Sequence, residues 1–158
     1  VAPKPWRQLT VLTAVLLSAT LVTGTLVTGA GPHAGDKSPQ RIVPRLEVEI
    51  VTLVHAHATL MVAYFSLLIG LSAGLVAVGA PRRVMRRLAE VVGLVLLQGL
   101  IGVVQYHTGV PAVLVALHVA GAAACTAATA VLWASMRQRT EPESVQRRLD
   151  VHGEAALP

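Results

Sequence analysis

Long stretches without a formal charge alternate with short basic segments along this 158-residue chain. The charge-free stretches are Gln8–Gly35, Ile50–Pro81 and Val91–Met136. A hydrocarbon core about 30 Å thick requires about 20 apolar residues per helix, and each stretch is at least that long. The third stretch is too long for one helix, and Thr108-Gly109-Val110-Pro111 within it is typical of a turn. The pattern predicts four membrane-spanning helices, over residues 9–30, 48–79, 89–107 and 111–136.

The predicted fold is therefore all-α, a transmembrane four-helix bundle. Residues 1–8 form a juxtamembrane segment, residues 9–136 form the bundle, and residues 137–158 form a polar tail for which we expect disorder. Clusters of basic residues lie before the first helix, between the second and third, and after the fourth, whereas the three basic residues of the loop over residues 31–49 are balanced by three acidic ones. Since cytoplasmic loops are enriched in Lys and Arg, both termini should be cytoplasmic and the loop over residues 31–49 should lie outside.

The net charge of +5 is explained by this topology, because the arginines flank membrane helices and have no interleaved aromatic residues. We therefore expect contact with membrane lipid and no binding of nucleic acid. Cys125 is the only cysteine, which excludes an internal disulfide and chemistry that needs paired thiols.

Two histidines, His55 and His118, lie inside charge-free stretches at nearly the same depth. His55 follows Glu49 by six residues and His118 follows Pro111 by seven, so each lies roughly 9–10 Å inside its predicted helix. A histidine within a membrane is costly unless its ring nitrogens find partners, and is therefore a functional candidate. Two neutral imidazoles at one depth suit a six-coordinate haem iron. The alternative is that each histidine hydrogen-bonds a neighbouring helix and serves packing alone.

The helix faces add candidates. A polar stripe on the second helix contains His55, whereas His57 lies roughly 200° away around the helix, so the two should not ligate one iron. This stripe consists of Thr52, His55, Thr59, Ser66 and Gly70. Next to His118, the small residues Gly121 and Ala122 leave room for a planar macrocycle or for close helix packing.

Two further side chains could contact a cofactor. Gln98 shares a face of the third helix with Gly102 and Gln105, and an amide in hydrocarbon must bond a helix, a water or a ligand. Arg45 lies close to the outer end of the second helix, where a guanidinium could pair with the propionates of a haem. A solvated loop arginine is the alternative.

Several segments together carry a family resemblance. In order along the chain they are Thr23–Asp36, Pro44-Arg45-Leu46, Val54-His55-Ala56, Gln98–Tyr106, Gly109-Val110-Pro111 and Leu117-His118-Val119. With this spacing the chain resembles, from residue 9 to about 136, the second half of actinobacterial haem A synthases. These are eight-helix proteins of the bacterial plasma membrane, built from two similar four-helix halves. The resemblance implies that His55 and His118 match the pair that ligates the iron of haem b.

The chain also departs from that family. The first half, which holds the substrate haem O and an acidic residue implicated in its oxidation, has no counterpart here. His57 stands where we expect an acidic residue in relatives. We expect either a fragment of a longer chain or a half-length protein that pairs with itself or with a second four-helix half.

The leading interpretation is the haem-b-binding half of a membrane oxidoreductase like haem A synthase. That activity converts haem O to haem A, the cofactor of terminal oxidases, by oxidising a porphyrin methyl group to a formyl group. The sequence assigns no catalytic residue, which leaves open whether the chain itself is an enzyme. The alternatives are a stand-alone bis-histidine membrane cytochrome that transfers electrons and a non-haem packing or assembly protein.

Overall fold

A computed structural model describes residues 4–32 and 46–137 of the chain. The described part contains four helices and no strand: α1 (Lys4–Ala30), α2 (Ile50–Ala77), α3 (Arg82–His107) and α4 (Ala112–Ser135). Each helix is long and apolar enough to cross a membrane. The predicted all-α transmembrane four-helix bundle is confirmed.

Helices α1 and α3 begin earlier than the charge pattern predicts, at residues 4 and 82 instead of 9 and 89. Pro5 lies in the first turn of α1, where its missing N–H would have no helical partner anyway. In α3, Arg87 donates to Glu90 at 2.7 Å, and Arg86 lies 3.9 Å from the same carboxylate. Such pairs one turn apart support a helix, so the basic segments extend the helices.

The turn between α3 and α4 lies where the sequence predicts it. Gly109 has a φ of +76°, a left-handed conformation that glycine adopts without a steric penalty. Val110 follows with a φ of +58°, and its N–H donates to the Gln105 carbonyl at 2.8 Å. The chain therefore reverses within a few residues, and α3 and α4 run antiparallel side by side.

The four helices pack as two close pairs. Helix α1 lies along α2 and α3 lies along α4, whereas α1 meets α4, and α2 meets α3, at far fewer points. Helices α2 and α4 are diagonal to each other, as are α1 and α3. A side chain that reaches across the bundle from α2 to α4 therefore crosses its centre.

Buried positions recur at alternating steps of four and three residues, the spacing of a heptad seam that faces neighbouring helices. On α2 this seam includes Tyr64, Leu68, Leu71 and Leu75, and on α3 it includes Val84, Leu88, Val91 and Val95. On α1 it is mostly threonine, at Thr10, Thr13 and Thr20, with Leu17 between them. The threonines donate to carbonyls of their own helix, as from Thr13 to Leu9 at 2.7 Å. The hydroxyl protons of these threonines therefore have acceptors within α1 itself.

The two halves of the bundle differ in packing. Within the described residues, every buried apolar side chain lies in the half formed by residues 4–20, 64–77, 82–95 and 125–136, the closed half. The opposite half, formed by residues 21–30, 50–63, 96–107 and 112–124, contains no buried apolar side chain and is called the open half. The two predicted histidines, His55 and His118, both belong to the open half.

Charge separates in the same way. Among the described residues, the Lys and Arg side chains all lie at the end of the closed half, whereas Glu47 and Glu49 lie at the end of the open half. This asymmetry is the basis for placing the closed end in the cytoplasm, which stays a prediction. Residues 138–158, for which we expect disorder, and Arg45 lie outside the described residues.

A histidine pair in the open half of the bundle

The rings of His57 on α2 and His118 on α4 meet in an edge-to-face contact across the centre of the open half. Their centroids are 6.4 Å apart and their planes make an angle of 69°. Both side chains are partly buried. Since α2 and α4 are diagonal, this contact joins the two helix pairs in the half where apolar packing is sparse.

The structure thus brings His57, and not His55, beside His118. His55 is exposed on the outer face of α2, together with the other polar residues of its stripe, Thr52, Thr59, Ser66 and Gly70. The reason is the heptad spacing of α2. Counting toward the N-terminus from the buried Leu68 in steps of four, three and four residues gives Tyr64, Met61 and His57, so His57 lies on the inner face of the helix. A role of His55 as an iron ligand stays a prediction.

Helix α1 holds the ring of His57. The Nδ1 atom lies 2.9 Å from the Thr20 carbonyl oxygen and 3.3 Å from Thr23 Oγ1. A carbonyl only accepts hydrogen bonds, so Nδ1 carries the ring proton and donates it. In a neutral imidazole the lone pair then resides on Nε2, which is the state required of a metal ligand.

His118 is set against α3 at a glycine. A Cβ atom placed on Gly102 would lie 3.4 Å from His118 Cε1, so the ring lies against the α3 backbone there. The Nδ1 atom of His118 is buried and has no hydrogen-bond partner in the part of the chain that the structure describes. The same is true of Gln98 Oε1 and Gln105 Oε1, which lie one turn to either side of Gly102 along α3. Buried polar atoms are normally paired, so three without a partner among the described residues, on His118 and on two residues of the neighbouring helix, are unusual.

Gln98 reaches α4 one turn from His118. Its amide fills the space that a side chain at Gly121 would occupy, so the glycine is what admits the amide between the two helices. The prediction that Gln98 contacts a cofactor stays a prediction, but the structure places its amide in the open half near the histidine pair. Arg45, predicted to pair with the propionates, lies outside the described residues.

The donor set indicates what the pair could hold. No cluster of three or more His, Cys, Asp or Glu side chains occurs in the part of the chain that the structure describes. A structural zinc site uses four protein ligands, whereas a haem iron takes four from the porphyrin and needs only two axial ones. Two metal–imidazole bonds of about 2 Å each, with the inner half of each ring, span roughly 6 Å, close to the observed separation. The pair therefore fits a haem better than a bare metal ion.

Acidic groups are remote from the pair. Glu49 is exposed just before α2 and accepts a hydrogen bond from Thr52 at 2.8 Å. Glu47 is also exposed, and the sequence has no carboxylate between Ile50 and Pro81 or between Val91 and Met136. Within the described residues, a side chain able to act as a carboxylate base beside the histidines is missing.

The contact between His57 and His118, and the contacts of His57 with Thr20, Thr23 and Gly24 of α1, were not predicted from the sequence. A signal was present: the heptad that gives the closed half its buried positions continues into the open half through these residues. On α1 it leads from Leu17 to Thr20 and Gly24. On α2 the same heptad, continued from Tyr64 through Met61, reaches His57 and not His55.

Comparison with known proteins adds no relative: no family profile, curated protein or solved structure matches the chain.

Proposed function

We propose that this chain is a haem-binding membrane protein in which His118 and a histidine of α2 ligate the iron of one b-type haem. The geometry favours His57 as the α2 ligand, while the family resemblance favours His55. The two choices are mutually exclusive for one orientation of α2, because the two side chains point to different sides of the helix.

One observation carries this proposal: the 6.4 Å separation of the His57 and His118 rings at the centre of the open half. Three further features fit a bound macrocycle. Among the described residues, the open half has no buried apolar side chain, and polar atoms of Gln98, Gln105 and His118 are buried without partners. Glycines stand beside the rings at positions 24 and 102, and Gly121 admits the amide of Gln98.

The protein side chains would have distinct tasks at such a site. When bound, a haem supplies one-electron redox chemistry at its iron. His57 is oriented by α1 with Nε2 unprotonated. His118 packs against Gly102, and the amide of Gln98 offers a polar contact at the edge of the site. The closed half, in which Leu68, Leu71 and Leu75 are fully buried, lies between the site and the basic end of the bundle.

We further propose that this haem site belongs to an oxidoreductase like haem A synthase of a bacterial plasma membrane. The support is the ordered set of motifs between Thr23 and Val119, which the resemblance covers. Haem O would then be the substrate and haem A the product. Another four-helix half, or a second copy of this chain, would supply the pocket in which the porphyrin methyl group is oxidised.

A stand-alone bis-histidine cytochrome is the second candidate. The lack of a carboxylate near the pair within the described spans favours it, because oxidation of a bound porphyrin calls for an acid or base beside the substrate. Electron transfer needs no such group.

Both proposals require that the chain binds one haem through two histidines. Expression of the protein with sufficient haem supply, followed by purification in detergent and visible spectroscopy, tests this requirement. We expect one haem per chain and the sharp reduced spectrum of a low-spin, six-coordinate iron. A protein that binds no haem, or binds it only as a high-spin species, would support a packing or assembly role instead. Extraction of haem A after co-expression with a source of haem O separates the synthase from the cytochrome.

A further inference from the structure

Helix α1 makes three contacts with one side of His57. The Thr20 carbonyl oxygen lies 2.9 Å from Nδ1, and Thr23 Oγ1 lies 3.3 Å from it. Gly24 adds the third, because a Cβ atom there would lie 3.1 Å from Cε1 and 3.4 Å from Nδ1. All three residues lie within two turns of α1, a helix that contains none of the residues predicted as iron ligands.

The hydroxyl of Thr23 can accept from the same Nδ1–H group, because its own proton has two carbonyl acceptors on α1, Ala19 at 3.1 Å and Thr20 at 3.0 Å. The Nδ1–H group of His57 therefore meets two acceptors, a carbonyl and a hydroxyl oxygen. The Thr20 carbonyl is the contact that favours the proton on Nδ1, and it would be lost if the proton moved to Nε2. A hydroxyl can also donate, so Thr23 holds the ring in place without selecting the tautomer by itself.

The close approach depends on glycine. A contact of 3.1 Å is tighter than a Cβ atom normally makes, so an added Cβ at position 24 requires the ring to move from α1 by a few tenths of an ångström. A branched side chain such as Val requires a larger movement, which lengthens the contact between Nδ1 and the Thr20 carbonyl. Gly29, one and a half turns further along the same helix, has open space where a side chain would project and serves as a matched control.

We propose that Thr20, Thr23 and Gly24 form a positioning cradle on α1 that fixes His57 as the Nδ1–H tautomer and leaves Nε2 free to ligate a metal. The cradle is independent of any ligand, whereas its role in binding rests on the proposed haem site. Metal-binding histidines commonly donate their second ring N–H to a carbonyl, and losing that partner typically weakens metal binding about 10–100-fold.

Nitrogen NMR of protein labelled at histidine, prepared without haem, tests the cradle itself. Spectra of wild type and His57→Gln assign the His57 resonances. We expect the proton on Nδ1 in wild type and in Gly29→Val, and a shift of the proton toward Nε2 in Gly24→Val. A proton on Nε2 in the wild type, or an unchanged tautomer in Gly24→Val, would overturn the proposal. If Gly24→Val does not fold, Gly24→Ala and the wild-type spectrum still decide the question.

Haem titration then tests the role in binding. We expect Thr23→Val to bind haem at least several-fold more weakly, Thr23→Ser to restore most of the affinity, and Gly24→Val to lose about tenfold or more relative to Gly29→Val. Equal affinities of Gly24→Val and Gly29→Val would show that the cradle serves packing and not the ligand. Failure of the wild type to bind haem would instead reject the haem proposal, and the NMR result would stand separately.

Discussion

The imidazoles of His57 and His118 meet at the centre of the open half, 6.4 Å apart between centroids, although their helices are diagonal and make no close backbone approach. Each ring is supported from behind by the helix paired with its own: α1 supports His57 and α3 supports His118. The contact thus links the two helix pairs in the open half, whereas buried apolar side chains hold the pairs together in the closed half. A ligand bound between the rings would therefore connect the two pairs in the half that has no buried apolar side chain among the described residues.

Replacing Gln98 by Met separates a binding role from a structural one. Its buried Oε1 makes no hydrogen bond with any of residues 4–32 and 46–137, so the substitution removes an unsatisfied polar atom, and we expect the haem-free protein to melt no lower than wild type. Haem affinity should fall about tenfold if the amide contacts the ligand or its water shell. Leu97→Met, at an exposed neighbouring position, is the control. A lower melting temperature with unchanged haem affinity would make Gln98 a structural residue.

The closed half should depend on the contact between Trp6 and Gly74. The indole ring of Trp6 occupies the space that a Cβ atom at Gly74 would need, and Gly74 is buried. We expect Gly74→Ala to destabilise the protein by about 1–3 kcal/mol through overpacking. Gly70→Ala, one turn earlier with open space, should be neutral or stabilising, by up to about 1 kcal/mol from helix propensity. Equal thermal unfolding of the two variants in detergent would contradict this packing.

The helices themselves could be predicted from the sequence because a membrane span is marked by the absence of charge over about 20 residues. Their ends were less predictable. Arginine is a good helix former and pairs with Glu90, so α3 extends through a segment that the charge pattern assigns to a loop.

The inward face of α2 was harder to infer for a physical reason. Lipid is as apolar as a protein core, so hydrophobicity does not distinguish the buried face of a membrane helix from the exposed one. The polar stripe with His55 and Thr59 was therefore expected to face inward, yet it is exposed. Only the heptad of large side chains through Tyr64 and Leu68 identifies the inner face, and it selects His57.

Topology can be tested with single cysteines at exposed positions of opposite ends. In a Cys125→Ala background, a membrane-impermeant maleimide added to intact cells should label Glu47→Cys. It should label Arg83→Cys only after permeabilisation, because the basic end is expected in the cytoplasm. The reverse pattern would show that the open half faces the cytoplasm.

The chain expressed alone should bind haem without converting haem O to haem A. The reason is the missing acid or base beside the histidines: the sequence has no carboxylate between Ile50 and Pro81 or between Val91 and Met136, Glu90 lies at the basic end of the bundle, and Glu47 and Glu49 are exposed at the opposite end. Purified protein is supplied with haem O, oxygen and an electron acceptor, and the haems are then extracted and analysed. Haem A above the level of a His118→Ala control would show that one four-helix unit suffices and would make Glu49 the first candidate for the catalytic group.

The visible spectrum of the reduced haem in three histidine variants tests the central claim most directly. If the iron lies between the facing rings, His118→Ala and His57→Ala should each lose the low-spin, six-coordinate spectrum, while His55→Ala, altered at an exposed position, should keep it. Loss of the spectrum in His55→Ala with retention in His57→Ala would restore the ligand that the family resemblance implies. A normal low-spin spectrum in His118→Ala would contradict the account as a whole.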